Sequence, residues 1–185
     1  MVGLLILLQK LLNFKEFSLI LLLYIIGVLR NYRNMITYQV ESFRECLEEL
    51  KEILTNHYNE VEDGINKVEF NPDYETYMKY EELGILTLIT VRDDKTLIGY
   101  YLSLEIPMLN SKHILHSLEI GFFIVPSYRK SSIGLNLLKF TESVLKELGV
   151  QKMFASSKAS HPCDKLYIRF GMELYNLQYI KTIGI

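Results

Sequence analysis

The chain has 185 residues and a net charge of −2, with both signs dispersed. That length suits one core-bearing domain, and no basic tract points to nucleic acid. Two cysteines exclude a disulfide scaffold. The four histidines (His57, His113, His116, His161) show no ligand spacing, so a metal-free, reduced, cytoplasmic protein is expected.

Residues 1–34 differ from the rest, being dominated by leucine and isoleucine. Their longest uncharged run, Phe17–Leu29, has thirteen residues. As a helix it would extend ~20 Å against a hydrocarbon core of ~30 Å. Lys15, Glu16 and Arg30 bound it, and no signal-peptide cleavage site follows. The preferred expectation is an extension outside the functional protein, which would begin at Met35. The alternative is a weak membrane anchor, with membrane contact only if 1–34 is native.

From Met35 the elements follow in order. Met35–Glu41 alternates like a strand. Ser42–Tyr58 has a helical period, with Phe43, Cys46, Leu47, Leu50, Ile53 and Leu54 on one face and Ser42 with Glu45 as a capping box. Asn59–Pro72 reads as an acidic loop. Asp73–Leu83 reads as a helix with Gly84 as its C-cap. Ile85–Arg92 and Leu97–Glu105 read as strands joined by an Asp93-Asp94-Lys95 turn, and Gly99 marks a bulge or a close approach. Ile106–Lys112 is a loop and Ile114–Val125 a strand. Ser132–Leu148 is a helix that buries Ile133, Leu137, Phe140, Thr141, Val144 and Leu148, and Gly149 stops it. Val150–Ala155 is a strand and Cys163–Phe170 a short helix ended by Gly171. Glu173–Ile183 alternates like a closing strand.

The stretch from Glu119 to Glu142 carries the chemistry. Pro126 ends a strand rich in aromatic and β-branched residues. A helix entry follows, with Arg129, Lys130, Ser131, Ser132, Ile133, Gly134 and Leu135. The unpaired N–H groups of a helix N-terminus bind anions, so a phosphorylated ligand is expected there. The bland alternative is an ordinary strand–helix turn with a serine N-cap.

Pro126-x-Tyr128-Arg129 followed by Ser132-Ile133-Gly134 resembles the acetyl-coenzyme A signature of the GNAT acyltransferase superfamily. Ser132 stands where a glycine is usual. A second run, Ser160 through Met172, resembles the family's Asn-x-x-Ala-x-x-Leu-Tyr-x-x-x-Gly-Phe. Leu166, Tyr167 and Gly171 match, with Ser160, Cys163 and Met172 as departures.

The resemblance implies an α+β fold over 35–185: a mostly antiparallel mixed sheet flanked by helices, splayed between the signature strand and the next. It implies acetyl-CoA as cosubstrate. Phe123, Ile124 and Val125 would pair with the pantetheine arm, the 129–135 turn would hold the pyrophosphate, and Ser160 and Tyr167 would contact the cofactor. Tyr167 would protonate the departing thiolate; its other reading is a core tyrosine. Glu119 would take the proton of the amine, with Glu105 and His116 behind it; its other reading is a half-exposed strand glutamate. The acceptor is a protein amine, a small amine or, less favoured by the near-neutral charge, an aminoacyl-tRNA. A homodimer is compatible with the resemblance. Two non-enzymatic readings stand beside it: a CoA-binding module without activity, and a membrane-tethered interaction protein.

Overall fold

The computed structural model describes residues 36–62, 69–181 and 183. Residues 1–34, and with them the extension-or-anchor question, lie outside the described residues. Thr37–Ile185 forms one compact unit. Among the described residues no helix is long and apolar enough to cross a membrane.

The order is β1 (Ile36–Glu41), α1 (Phe43–His57), a π-turn (Tyr58–Glu62), α2 (Tyr74–Glu82), β2 (Leu86–Asp93), β3 (Thr96–Met108), β4 (Ser111–Ile124), a 3₁₀ turn (Pro126–Tyr128), α3 (Ile133–Glu147), β5 (Lys152–Phe154) and α4 (Asp164–Phe170). The strands form one mixed sheet in the order β1-β2-β3-β4-β5. β2–β3 and β3–β4 are antiparallel and β4–β5 is parallel.

α1 forms where its period requires. The Ser42 side chain accepts from the Glu45 N–H, and the Glu81 carboxylate accepts from the N–H groups of Phe43 and Arg44. Three orphan donors of the first turn are thereby satisfied. Phe43, Cys46, Leu50 and Ile53 pack on Leu88, Tyr100, Leu102 and Phe123. Each such apolar side chain contributes about 1.5–3 kcal/mol by leaving water. α3 packs against β2 and β3.

Several boundaries differ from the sequence reading. The 59–72 loop opens with the π-turn, which prolongs α1. β3 and β4 run through most of the expected 106–112 loop, because antiparallel pairing continues to Met108↔Ser111. α3 buries Ile133, Leu137, Leu138, Thr141 and Leu145, whereas Leu148 is exposed, lying past the last helical turn. Glu173–Lys181 is not the expected strand: it has no regular structure, and Leu174, Tyr175, Leu177, Tyr179 and Ile180 are exposed. Alternation describes side chains, but a strand also needs a ladder partner, and β5 is only three residues long.

Gly99 meets both of its expectations. A register shift lies opposite it between Val91 and Arg92, and a Cβ there would come within 2.8 Å of the Phe123 carbonyl.

Candidate active site

β4 pairs with β5 only over His116–Leu118 with Lys152–Phe154. Beyond that, Glu119–Ile124 has β3 on one side and, among the described residues, no strand on the other. This is the splay expected next to the signature strand. A register shift between Leu102 and Ser103 makes Ile120 a bulge in β4. Val125 donates to the Ile98 carbonyl, so by the two-residue period the backbone groups of Ile124 turn to the open side. Of the three residues expected along a pantetheine arm, Ile124 therefore turns its backbone to that side, where its carbonyl accepts from Arg129 Nε. The Phe123 and Ile124 side chains are core.

Tyr167 and Glu119 come together in the splay. The Tyr167 hydroxyl donates to Glu119 Oε2 at 2.8 Å and has the Ser156 carbonyl at 3.2 Å. The Ser156 N–H also donates to Glu119 Oε2, at 3.2 Å. α4 positions the tyrosine, and Gly171 in the left-handed conformation ends that helix. The entry of α4 is tied by Ser157, whose hydroxyl accepts from the Cys163 N–H at 3.0 Å. Ser160 is exposed in that loop. The Tyr167 ring lies against Phe122, and its hydroxyl is pushed far above the usual phenol range, by burial first and then by the Glu119 charge. Burial also raises the Cys163 thiol beside it, which keeps that sulfur protonated.

The helix entry is built as an open N-terminus. Ser131 donates to the Tyr128 carbonyl and accepts from the Ile133 N–H, while Ser132 makes no cap bond. The first-turn N–H groups of Gly134 and Leu135 have no helical acceptor, as in any first turn. Lys130, Ser131 and Ser132 are exposed. Tyr128 anchors the turn to the β2–β3 hairpin through Asp93 at 2.8 Å. Two of these residues also have partners within the fold. A Cβ on Gly134 would meet Leu166 at 3.3 Å and Phe122 at 3.7 Å, so this glycine permits close packing of α4 on α3. Arg129 turns back to β4: its Nε donates to the Ile124 carbonyl at 2.7 Å, its Nη atoms pair with Glu60, and the guanidinium sits 5.0 Å from the Phe123 ring centroid. Those hydrogen bonds hold the Glu60 carboxyl below the usual range, with burial opposing them.

A cleft of about 390 Å³ opens on the α1 side of β4, lined by Asn56, Asn59, Glu60, Phe123, Val125 and Pro126. The sequence reading placed Asn59 and Glu60 in an acidic loop and missed Asn56. It also missed Ser156 and Ser157, which carry no motif. Glu105 is buried beneath three hydroxyls and His116 lies against Phe154, so neither approaches the splay as Glu119 does.

An open mixed sheet splayed beside a strand–turn–helix unit is the architecture of the N-acyltransferases. The chain belongs to the acetyltransferase (GNAT) family, whose model matches residues 45–172. By sequence, no curated protein matches it. Among solved structures it is similar to the ribosomal-protein-alanine N-acetyltransferase of Brucella melitensis biovar Abortus 2308 (13% identity, 82% of this chain, 99% of that one, TM-score 0.66). It is also similar to an aminoglycoside acetyltransferase from an uncultured soil metagenomic sample (15%, 80% and 97%, 0.62). A third is a predicted acetyltransferase with acetyl-CoA from Clostridium acetobutylicum (14%, 80% and 96%, 0.58).

Proposed function

We propose that residues 35–185 act as an N-acetyltransferase, moving an acetyl group from acetyl-CoA to a primary amine by direct attack in a ternary complex. The observation that carries this reading is the 2.8 Å contact between Tyr167 and Glu119 at the splay. The pantetheine arm lies along the open edge of β4 and the pyrophosphate at the N-terminus of α3. The amine enters by the cleft bordered by Asn59 and Glu60.

An alkyl ammonium has a pKa of ~10.4, so it must give up a proton before it attacks. Glu119 takes that proton. The amine then forms the C–N bond, the tetrahedral intermediate expels the thiolate, and the nitrogen sheds its second surplus proton to solvent, keeping the single N–H of the amide. A thiol with a pKa of ~8.5 is a stronger acid than a phenol of ~10, so a lone phenol would donate uphill. The contact with Glu119 removes that obstacle. Tyr167 gives its proton to sulfur while the protonated Glu119 gives its own to Tyr167, and no phenolate accumulates. The raised phenol keeps Tyr167 a donor at every physiological pH.

The acceptor class stays at primary amine. The solved neighbours are named for acceptors as different as a ribosomal-protein alanine and an aminoglycoside, on one fold. The deciding experiment supplies acetyl-CoA with a panel of peptides, amino sugars and alkylamines and follows free thiol. Acceptor-dependent thiol release is expected. A chain whose melting rises with acetyl-CoA but which releases no thiol with any acceptor is a binding module.

A further inference from the structure

The cleft on the α1 side of β4 already holds a cation, and it is the chain's own. Arg129 Nη2 donates to Glu60 Oε2 at 2.9 Å and Nη1 donates to Glu60 Oε1, a fork-to-fork pairing of two planar groups. The same guanidinium sits 5.0 Å from the Phe123 ring centroid, and its Nε donates to the Ile124 carbonyl at 2.7 Å. A carboxylate, an aromatic face and a carbonyl each attract a cation, and here they converge on one position. Asn56 and Asn59 line the cleft beside Glu60, and its volume of about 390 Å³ is that of a small-ligand site.

On the acetyltransferase reading above, on which this inference rests, Arg129 stands in the cofactor's way. The pantetheine arm lies along the open side of β4, where Arg129 now takes the Ile124 carbonyl. The pyrophosphate lies at the N-terminus of α3, which begins at Ile133, a few residues after Arg129. A doubly charged anion at that turn competes with the single charge of Glu60 for the guanidinium. The Arg129–Glu60 pair is partly open to solvent, its side chains 39% and 30% exposed, and such pairs are loosely held. When Arg129 leaves, the Glu60 carboxylate loses its guanidinium on the wall of the cleft by which the amine enters.

We propose that Glu60 and Phe123 then seat a second cation of the acceptor, so that the acceptors of this chain are amines carrying a further guanidinium or ammonium group. Acetyl-CoA opens the seat by drawing Arg129 away, and the acceptor's cation takes the place of the guanidinium. The seat is remote from the reacting amine. Ile124 follows Glu119 in β4 by five residues, one of them the Ile120 bulge, so the two lie about 13–16 Å apart at ~3.3 Å per residue. An extended peptide covers that distance in about four residues. Glu60 therefore touches the acceptor away from the bond that forms, and it sets specificity and takes no part in the chemistry.

The test uses the full chain, acetyl-CoA and two alanine pentapeptides with free N-termini. One carries arginine at its fourth position and the other citrulline, the neutral isostere. Thiol release should show a kcat/KM about tenfold higher with the arginine peptide, through KM, as for a hydrogen bond to a charged group. Glu60→Gln should bring that ratio to about one, because the variant cannot tell the charged side chain from the neutral one. Calorimetry on Glu60→Gln should give an acetyl-CoA affinity equal to the parent's or up to about fivefold tighter, since Arg129 is no longer held back. A purely structural tie between the π-turn and β4 would weaken that affinity instead. Equal kcat/KM for the two peptides in the parent, a ratio that survives Glu60→Gln, or weaker acetyl-CoA binding by the variant overturns the inference. So does thiol release with other amines of the panel and none with either peptide. A parent that releases no thiol with any acceptor overturns the acetyltransferase reading itself, and the seat with it.

Discussion

The two faces of strands β3 and β4 are built from alternate residues of the same segments, yet they differ in kind. Tyr100, Leu102 and Phe123 point toward α1 and form a dry core with Phe43, Cys46, Leu50 and Ile53. Tyr101, Ser103, Glu105, Ser117 and Glu119 occupy the opposite face with Tyr167. One face holds a methyl-and-ring packing that tolerates no polar atom without a partner. Its nearest exception is the Tyr100 hydroxyl, which meets His57 Nδ1 at 2.5 Å. The other face accepts the cost of buried charge. A two-residue period thus lets one strand pair hold the fold together on one side and carry chemistry on the other.

The separation can be broken from either side. Tyr167→Phe should cut turnover by about 10²–10⁴-fold while acetyl-CoA affinity stays near that of the parent. Unchanged turnover would return Tyr167 to packing and make both faces structural. Leu102→Ala, on the dry face, should lower unfolding free energy by about 2–5 kcal/mol and leave turnover per folded molecule intact. A denaturant melt paired with an active-site titration reads both; a specific loss of turnover would mean that the faces communicate.

Two further tests sharpen the contrast. Tyr167 has its phenol raised in the folded state, mainly by burial. Below the unfolded value of ~10 its contribution to stability is complete. Above that pH the unfolded chain loses this proton and the folded chain keeps it, so stability falls as pH rises. The difference in urea midpoint between parent and Tyr167→Phe should therefore shrink as the buffer is taken above pH ~10. A constant difference would mean that the hydroxyl is not buried as described. Ser42→Ala should have the smallest effect, about 1 kcal/mol from the lost N-cap of α1, with no kinetic change.

The chain's local patterns were enough for much of this. Phe43, Cys46, Leu50 and Ile53 recur at helical spacing, and the same four are buried in α1. Asp73 caps α2, and Gly84, Gly149 and Gly171 stand at helix ends with positive φ, because only a residue without a side chain takes that conformation cheaply. Glu119 and Tyr167 were reached by separate motifs, and the fold brings them within a hydrogen bond although they are 48 positions apart. That meeting depends on β4 and β5 parting after Leu118, which no local pattern encodes.

What tertiary structure alone decided are the matters of partner and direction. Gly134 reads as a glycine for a close ligand, but its missing Cβ makes room for Leu166 and Phe122. Arg129 reads as a cation for phosphate, but its guanidinium is turned onto Ile124 and Glu60, the latter 69 positions away. Glu173–Lys181 alternates as a strand does, yet among the described residues no strand pairs with it. Glu105 reads as a second candidate base behind Glu119, and only the register with its neighbours buries it beneath Thr87, Ser103 and Ser117. Period, caps and turns are properties of a few adjacent residues, so the sequence by itself determined most of the elements and the family. Which side chains meet across strands depends on register and on where a sheet opens, and those are set by the packing of the whole domain.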